Sequence, residues 1–192
     1  MSDLIEHICN HIKLLPEDEM HILHTFRKRT VKKNEFILNA GEVCRHETFI
    51  SKGCFTMSHL NESGKEEIVL FGSEQWYIAD LYSYLSEEPS NFDIKALEDA
   101  EVWQISHGQL DTLLRTVPAL ERYFRILFQN AFVSMQTRLM ENLHNTAQER
   151  YRKFLKRYPG MHSRLPQYLI ASYLGITPQF LSKIRTLDFK QK

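Results

Sequence analysis

The sequence predicts an α+β protein in which an N-terminal antiparallel β-roll with flanking helices is followed by a long helix and a small helical domain. Three observations predict this order. Residues 31–106 contain short runs rich in Ile, Val, Phe, Tyr and Trp between glycine-containing turns. Residues 119–145 repeat apolar side chains at three- and four-residue steps, and residues 167–185 have the pattern of a helix-turn-helix. We therefore place the domains at residues 1–116, 117–145 and 146–192.

Charge is distributed unevenly along the chain of 192 residues, although 24 basic and 24 acidic residues make it neutral overall. Residues 147–192 contain ten Lys and Arg against two acidic residues, a net charge of +8, so the first 146 residues carry −8. A basic end on an acidic body is typical of a protein that contacts a phosphate backbone with that end.

The sequence has no apolar run near the ~18 residues of a membrane helix, and its N-terminus lacks the apolar core of a signal peptide. Cysteines occur at positions 9, 44 and 54, an odd number without paired metal spacing. We expect a cytoplasmic protein with reduced thiols and no membrane partner.

The first thirty residues predict two helices, 4–15 and 17–29, on either side of Pro16. Two histidine pairs share helix faces there (His7 with His11, His21 with His24), but no further ligand completes either pair, so we expect no metal site. Residues 31–106 then predict seven or eight short strands, with no long helix between them. Such strands form an antiparallel roll or barrel, whose interior can hold a small ligand.

Ser106 is predicted to cap a short helix that ends before Pro118. The helix after it, 119–145, would be about 40 Å long, more than a small roll can cover. We expect its stripe to pack on the roll at one end and on a second copy of the chain along its length. The alternative is a helix buried inside one protomer. The stripe consists of Leu120, Phe124, Leu127 or Phe128, Ala131, Phe132, Met135, Leu139 and Leu143.

The next helix begins with a capping box, Thr146 to Glu149. Its spacing turns Tyr151, Phe154, Leu155 and Tyr158 inward. The outward basic residues could form a solvated face, but because they lie next to the hairpin they are predicted to contact phosphate. These residues include Arg150, Lys153 and Arg157.

The helix-turn-helix pattern has a steric reason at each position. Ala171 allows two helices to approach, Gly175 suits a left-handed turn, and Thr177-Pro178 starts the second helix. Ile170, Leu174, Ile176, Leu181 and Ile184 are expected to form the small core between the helices. A helical hairpin in a compact domain would look similar, but the charge of +8 favours DNA binding. The groups predicted to face DNA are Thr177, Gln179, Ser182, Lys183, Arg185 and Thr186.

With this order established, the chain resembles the Crp/Fnr family of bacterial transcription regulators. The phrases IASYLGITPQFLSKIR (170–185) and NFDIKALEDAEV (91–102) are similar to its Bacteroidetes branch. The resemblance implies a cyclic-nucleotide-binding-like jelly roll, a long dimerisation helix and a recognition helix at 177–186. It also implies double-stranded DNA, a second copy, a small-molecule effector and RNA polymerase as partners.

Two departures from the family pattern stand out. Cyclic-AMP-binding members have Gly-Glu-Leu and later Arg-Ser/Thr-Ala, where this chain has Ala79-Asp80-Leu81 and Ser90-Asn91-Phe92. Without the arginine, holding the cyclic phosphate would be costly, so we expect no cyclic AMP binding of the usual kind. The second departure is the end of the chain, where TLDFKQK stands in place of the family's β-hairpin wing.

The predicted ligand pocket therefore lies at Ala79, Asp80, Leu81, Ser90 and Asn91, with an unknown effector and no cofactor. The Fnr-type cysteine cluster is missing, so an iron–sulfur cluster is not expected. We find no nucleophile elbow, phosphate-binding glycine loop or metal-ligand set, so we expect no enzyme activity. The alternative to a DNA-binding regulator is a ligand- or protein-binding sensor whose truncated helix-turn-helix no longer reads DNA.

Overall fold

The computed structural model describes residues 2–189, of which 187–189 are described by their backbone alone. It confirms the predicted fold class: two antiparallel sheets with flanking helices precede a long helix and a group of short helices. The elements in chain order are α1 (Asp3–Cys9), α2 (Pro16–Thr25), β1 (Arg27–Val31), β2 (Phe36–Leu38), β3 (His46–Lys52), β4 (Phe55–Leu60), β5 (Glu66–Gly72), β6 (Tyr77–Ile78), α3 (Leu81–Ser86), β7 (Asp93–Ala96), β8 (Ala100–Ser106), α4 (His107–Thr116), α5 (Ala119–His144), α6 (Ala147–Arg157), α7 (Met161–Arg164), α8 (Gln167–Tyr173) and α9 (Pro178–Phe189).

The roll consists of two four-stranded antiparallel sheets, with strand orders β1-β8-β3-β6 and β2-β7-β4-β5. Apolar side chains between the sheets, such as Ile50, Phe55 and Val102, are fully buried. Gly53 joins β3 to β4 with φ of +105°, and a Cβ there would lie 2.6 Å from the Cβ of Ala100. Only glycine fits both this backbone angle and this close approach.

The predicted helix 17–29 was wrong at its C-terminal end. Helix α2 ends at Thr25, and Phe26 is already extended with ψ of 136°. The following residues form β1, which pairs with β8 from Arg27 opposite Gln104 to Val31 opposite Ala100. Because this pairing partner lies some 70 residues away, local propensity is overridden by a contact that periodicity alone does not reveal.

Helices α1, α2 and α4 cover the outer face of the sheet that contains β3. Leu4, Ile22, Phe49 and Leu113 are fully buried in this cluster. The predicted cap at Ser106 is confirmed, since its hydroxyl accepts a hydrogen bond from the backbone of Gln109. Helices α1 and α2 each begin one residue before the predicted positions 4 and 17, and α1 ends at Cys9 instead of residue 15.

Helix α5 buries apolar side chains against the roll in its first turns, at Leu120, Tyr123 and Phe124. Beyond these turns, the Arg138 guanidinium donates to the carbonyl of Val69 on β5. Farther along, its apolar side chains face solvent: Phe132 is 62% exposed and Met135 is 72% exposed. The prediction that one end packs on the roll is confirmed, and the alternative of a helix buried within one protomer is wrong. None of the helices formed by residues 2–189 has the length and apolarity to cross a bilayer.

The C-terminal helices pack directly on the roll. The ring of Phe71, on β5, lies 6.1 Å from that of Phe154, 5.9 Å from that of Tyr158 and 5.3 Å from that of Tyr173. The Ser172 hydroxyl donates to the carbonyl of Glu66, also on β5. We call this set of contacts the domain contact. It fixes the position of α8 relative to the roll.

Candidate nucleic-acid interface

The turn between α8 and α9 forms as its sequence predicts. Gly175 has φ of +64°, and its N–H donates to the carbonyl of Ser172 at 3.0 Å. The N–H of Ile176 donates to the carbonyl of Ala171, also at 3.0 Å. These two bonds satisfy carbonyls that the end of α8 leaves open, in the pattern called a Schellman motif.

Helix α9 begins at Thr177-Pro178, as predicted. The Thr177 hydroxyl accepts a hydrogen bond from the N–H of Phe180 at 3.2 Å. Ala171 is buried where the helices cross, and Leu181 and Ile184 from α9 are buried against Ile170 and Leu174. The predicted core is confirmed, with Ile176 partly buried at its edge. The hairpin is therefore a rigid unit that presents one face of α9 to solvent.

That face carries the predicted polar groups. Thr177, Gln179, Ser182, Lys183 and Thr186 are exposed, and the structure thus brings them together on one side of α9. Arg185 is half-buried at the edge of this face. Amide, hydroxyl and ammonium groups on an accessible helix are able to form hydrogen bonds with base edges in a major groove.

The sequence interpretation missed Phe180. Its ring is 48% exposed and stands beside Gln179 on the exposed polar face of α9. An aromatic residue inside an amphipathic pattern is usually assigned to the core, and here the pattern offered no reason to assign it otherwise. An exposed apolar ring at this position is able to contact the methyl group of thymine.

The predicted phosphate-contacting residues of α6 have mixed surroundings. Lys153 is 46% exposed and lies 3.4 Å from Glu141. Arg150 is half-buried and donates to the carbonyls of Asn145 and Leu174, so it caps the end of α8. Arg157 is bound to Glu141 and to the hydroxyl of Tyr173, at 3.3 Å each.

Both arginines therefore stabilise the domain within one protomer. Half-buried positions and partners at hydrogen-bond distance leave less of each guanidinium for a phosphate. Contact with phosphate stays a prediction for Arg150, Lys153 and Arg157 alike.

In the predicted ligand pocket, two of the three polar residues, Asp80 and Ser90, bind each other. The Ser90 hydroxyl donates to the Asp80 carboxylate at 2.7 Å, and both side chains are buried. Asp80 also caps α3 by accepting from the N–H of Tyr82. Leu81 is 39% exposed, Asn91 is exposed, and Ala79 is partly buried. The structure thus brings Asp80 and Ser90 together and leaves Asn91 outside.

Histidines of the predicted pairs have protein partners. The Nδ1 atom of His7 lies 2.8 Å from the hydroxyl of Tyr123, and burial, then His11, lowers the pKa of His7. Within residues 2–189, no three His, Cys, Asp or Glu side chains are grouped closely enough to hold a metal ion.

Comparison with known proteins finds a matching domain model, a related regulatory protein and solved structures of the same fold. The cyclic nucleotide-binding domain matches residues 28–117. Regulatory protein HlyX of Actinobacillus pleuropneumoniae is 26% identical over 172 residues, which span 82% of this chain and 70% of that protein.

Two solved structures have the same fold at 17% identity each. FixK2 from Bradyrhizobium japonicum has a TM-score of 0.74, and the superposed part covers 86% of this chain and 85% of the FixK2 chain. A CooA mutant from Carboxydothermus hydrogenoformans has a TM-score of 0.70 and covers 88% of this chain and 78% of its own. At this level of identity, the two likenesses concern the fold alone.

Proposed function

We propose that this chain binds DNA as a homodimer. It is a Crp/Fnr-type regulator by homology, and its residues 28–117 match the cyclic nucleotide-binding domain. Each protomer places α9 in a major groove, and the dimer reads an operator with two half-sites about 34 Å apart. The observation that carries the proposal is the exposed polar face of α9, formed by Gln179, Ser182 and Lys183 on a hairpin with a capped turn.

The dimer is supported by the apolar face that α5 leaves uncovered. Phe132, Met135, Leu139 and Leu143 are each more than 60% exposed along three turns of helix. A contiguous apolar surface of this kind is expensive in water and is typical of an interface. A second α5 packed against it along a two-fold axis would cover the same patch on both copies.

Each residue of the reading face has a chemical role in the proposal. Gln179 faces a base edge, because its amide is able to donate and accept in the pattern that adenine presents. Lys183 lies one turn farther on the same face and reaches guanine or phosphate. Arg185, at the edge of the face, contacts phosphate, together with Lys153 from α6.

We also propose that the roll does not bind cyclic AMP in the usual way. By the resemblance, Ser90 stands where the phosphate-binding arginine is found in cyclic-AMP-binding members. Here the Ser90 hydroxyl is engaged by the Asp80 carboxylate at 2.7 Å. A cyclic phosphate would therefore meet a carboxylate rather than a guanidinium, and like charges in a partly buried site repel.

Binding of the full chain to a duplex from its own upstream region, compared with a random duplex across a salt series, tests the proposal. We expect tighter binding to the upstream duplex and weakening of both complexes as salt rises. Lys183→Ala should cost about 1–3 kcal/mol on the upstream duplex, roughly 10- to 100-fold, and less on random DNA. Lys65→Ala, which removes an exposed lysine on the turn before β5, is the matched control.

Equal losses on both duplexes would reassign Lys183 to phosphate contact. If the chain instead shows no preference for the upstream duplex, either alone or with an added carboxylate such as octanoate, that result would favour a sensor that no longer reads DNA.

A further inference from the structure

A cavity of about 480 Å³ opens between the two sheets of the roll, beside the loop that joins β2 to β3. Its walls come from β1, β3, β6 and β8 of one sheet and from β2 and β7 of the other. None of the five residues of the predicted ligand pocket lines it. The volume lies in the range of sites that bind small organic molecules.

One hydrogen-bonding group among the residues that line this cavity, the amide oxygen of Gln104, has an open position for a donor. Gln104, on β8, is only 6% exposed and donates from its amide nitrogen to the hydroxyl of Thr48 at 3.1 Å. No residue in the range 2–189 donates to its amide oxygen. A buried amide costs free energy unless its hydrogen bonds are made, so a group in the cavity would be stabilised by meeting it.

Basic side chains and one carboxylate, that of Glu42, lie at the mouth of the cavity. Arg45 and His46 are exposed there, and Arg29 is half-buried beside them. Partial burial lowers the pKa of His46, and so do the neighbouring charges of Arg29, Arg27 and Arg45. The positive charges of these arginines oppose protonation of the His46 imidazole, and the same charges attract an anion.

The carboxylates near the mouth have other partners. Glu35 is paired with Arg29 at 2.6 Å, and Glu42 accepts two hydrogen bonds from Asn39. Arg45, in contrast, forms no ion pair and no hydrogen bond with any residue in the range 2–189. Its guanidinium is therefore available to a carboxylate or sulfonate group.

The rim is held in place before any ligand arrives. The N–H of Gly41 donates to the carbonyl of Ser90 at 2.7 Å, and the N–H of Ser90 donates to the carbonyl of Glu42 at 2.8 Å. The N–H of Cys44 donates to the Ser83 hydroxyl at 2.8 Å. A preformed rim reduces the ordering cost of binding.

We propose that this cavity binds an organic monoanion with an apolar body and a polar far end. The anionic head lies between Arg45 and His46, and the body packs against the apolar walls. The far end, a hydroxyl or carbonyl group, forms a hydrogen bond with Gln104. The walls are formed by Ile37, Leu38, Ile78 and Ile94. This inference does not depend on DNA binding.

Isothermal titration of the full chain with three compounds of equal length separates these contacts. The probes are 8-hydroxyoctanoate, octanoate without the hydroxyl and 1,8-octanediol without the charge. We expect 8-hydroxyoctanoate to bind most tightly, octanoate to bind severalfold more weakly, and the diol to bind at least tenfold more weakly. Equal affinity for the acid and the diol, or no heat from either acid at millimolar concentration, would overturn the proposal.

Three variants locate the site. Arg45→Glu should weaken the binding of both acids at least tenfold, and it should not disturb the fold because the side chain is exposed and unpaired. Gln104→Met keeps the length of the side chain and should abolish the difference between 8-hydroxyoctanoate and octanoate. Arg115→Glu, on the exposed face of α4, is the matched control and should change neither. Acid binding that survives both Arg45→Glu and Gln104→Met would place the anion elsewhere and refute the inference.

Discussion

The domain contact depends mainly on Phe71, and Phe71→Ala should therefore release the C-terminal helices from the roll. The side chain is fully buried, and its three aromatic neighbours all belong to the C-terminal helices and the turn after α6. Burial of a phenylalanine ring is worth about 1.5–3 kcal/mol, and the cavity left behind adds to the loss. We expect Phe71→Ala to cost about 3–5 kcal/mol in the free energy of unfolding.

The polar contacts between the C-terminal helices and the roll are too weak to compensate. Arg164 forms ion pairs with Glu74 and Glu98 on the roll, but all three side chains are about one-third exposed. Exposed pairs of this kind contribute about 0–1 kcal/mol. The hydrogen bond from the Ser172 hydroxyl to the Glu66 carbonyl adds about 1 kcal/mol. The aromatic cluster therefore decides whether the helices stay docked.

Urea unfolding followed at the two tryptophans measures this effect. Trp76 lies 5.4 Å from Tyr158 and reports the domain contact, whereas Trp103, on β8, reports the roll. In single-tryptophan backgrounds, Phe71→Ala should shift the Trp76 transition to lower urea and leave the Trp103 transition nearly in place. Phe36→Ala, at a ring that is 40% exposed, is the control. A Phe71→Ala variant whose two transitions still coincide at the parent's midpoint would refute the reasoning.

Three further predictions follow from exposed and buried groups. Leu139→Glu places a charge in the exposed stripe of α5 and should give a monomer by light scattering. The control Leu60→Glu changes an equally exposed residue on β4 and should leave the oligomer unchanged. Identical masses for both variants would count against the α5 interface. Burial raises the pKa of Glu47 from 4.5 to about 7, so the native state binds the proton of this carboxyl more tightly than the unfolded chain does. The stability that this group contributes is complete below pH 4.5 and is lost as the pH rises through 7. Glu47→Gln should therefore stabilise the protein by roughly 3 kcal/mol at pH 8 and by little at pH 5, and an equal gain at both pH values in chemical denaturation would contradict this assignment. Calorimetric titration with cyclic AMP should give no binding, and micromolar affinity would show that the Ser90 position does not exclude the nucleotide.

Local signals in the sequence predicted the N-terminal caps of α4, α6 and α9 correctly. The caps at Ser106, Thr146 and Thr177 involve hydrogen bonds to residues only three positions away, so the sequence contains both partners side by side. Gly175 likewise acts within one turn of helix. These features do not depend on how distant parts of the chain pack.

Contacts between distant segments could not be predicted in this way. Phe71 and Tyr173 are both ordinary apolar positions in their own elements, and no periodicity indicates that they meet. Arg150 and Arg157 belong to a basic run that sequence alone assigns to phosphate. In the fold their guanidiniums bind carbonyls and Glu141, because neighbouring helices supply acceptors that a helical pattern does not show.

The sequence predicted that the roll has an interior able to hold a ligand, but it did not predict which residues line the cavity. The roll indicated an interior that can hold a ligand, but the resemblance placed the pocket at Asp80 and Ser90. A usable signal lay in β8, where Gln104 shares the inward face with Val102 while Trp103 and Ile105 face the outer helices. A polar residue at an inward position of a strand needs a partner, and that requirement points to the cavity.

The positions of the basic residues also change the salt dependence expected for DNA binding. If all ten Lys and Arg of residues 147–192 contacted phosphate, log K would fall against log salt with a slope of about −9 per protomer. Arg150, Arg157 and Arg164 have protein partners, and each one that keeps its partners when DNA binds makes the slope less steep by about 0.9, so the slope should be no steeper than about −6. Binding of the upstream duplex measured between low and physiological salt tests this limit. A slope near −9 per protomer would show that these arginines leave their partners when DNA binds.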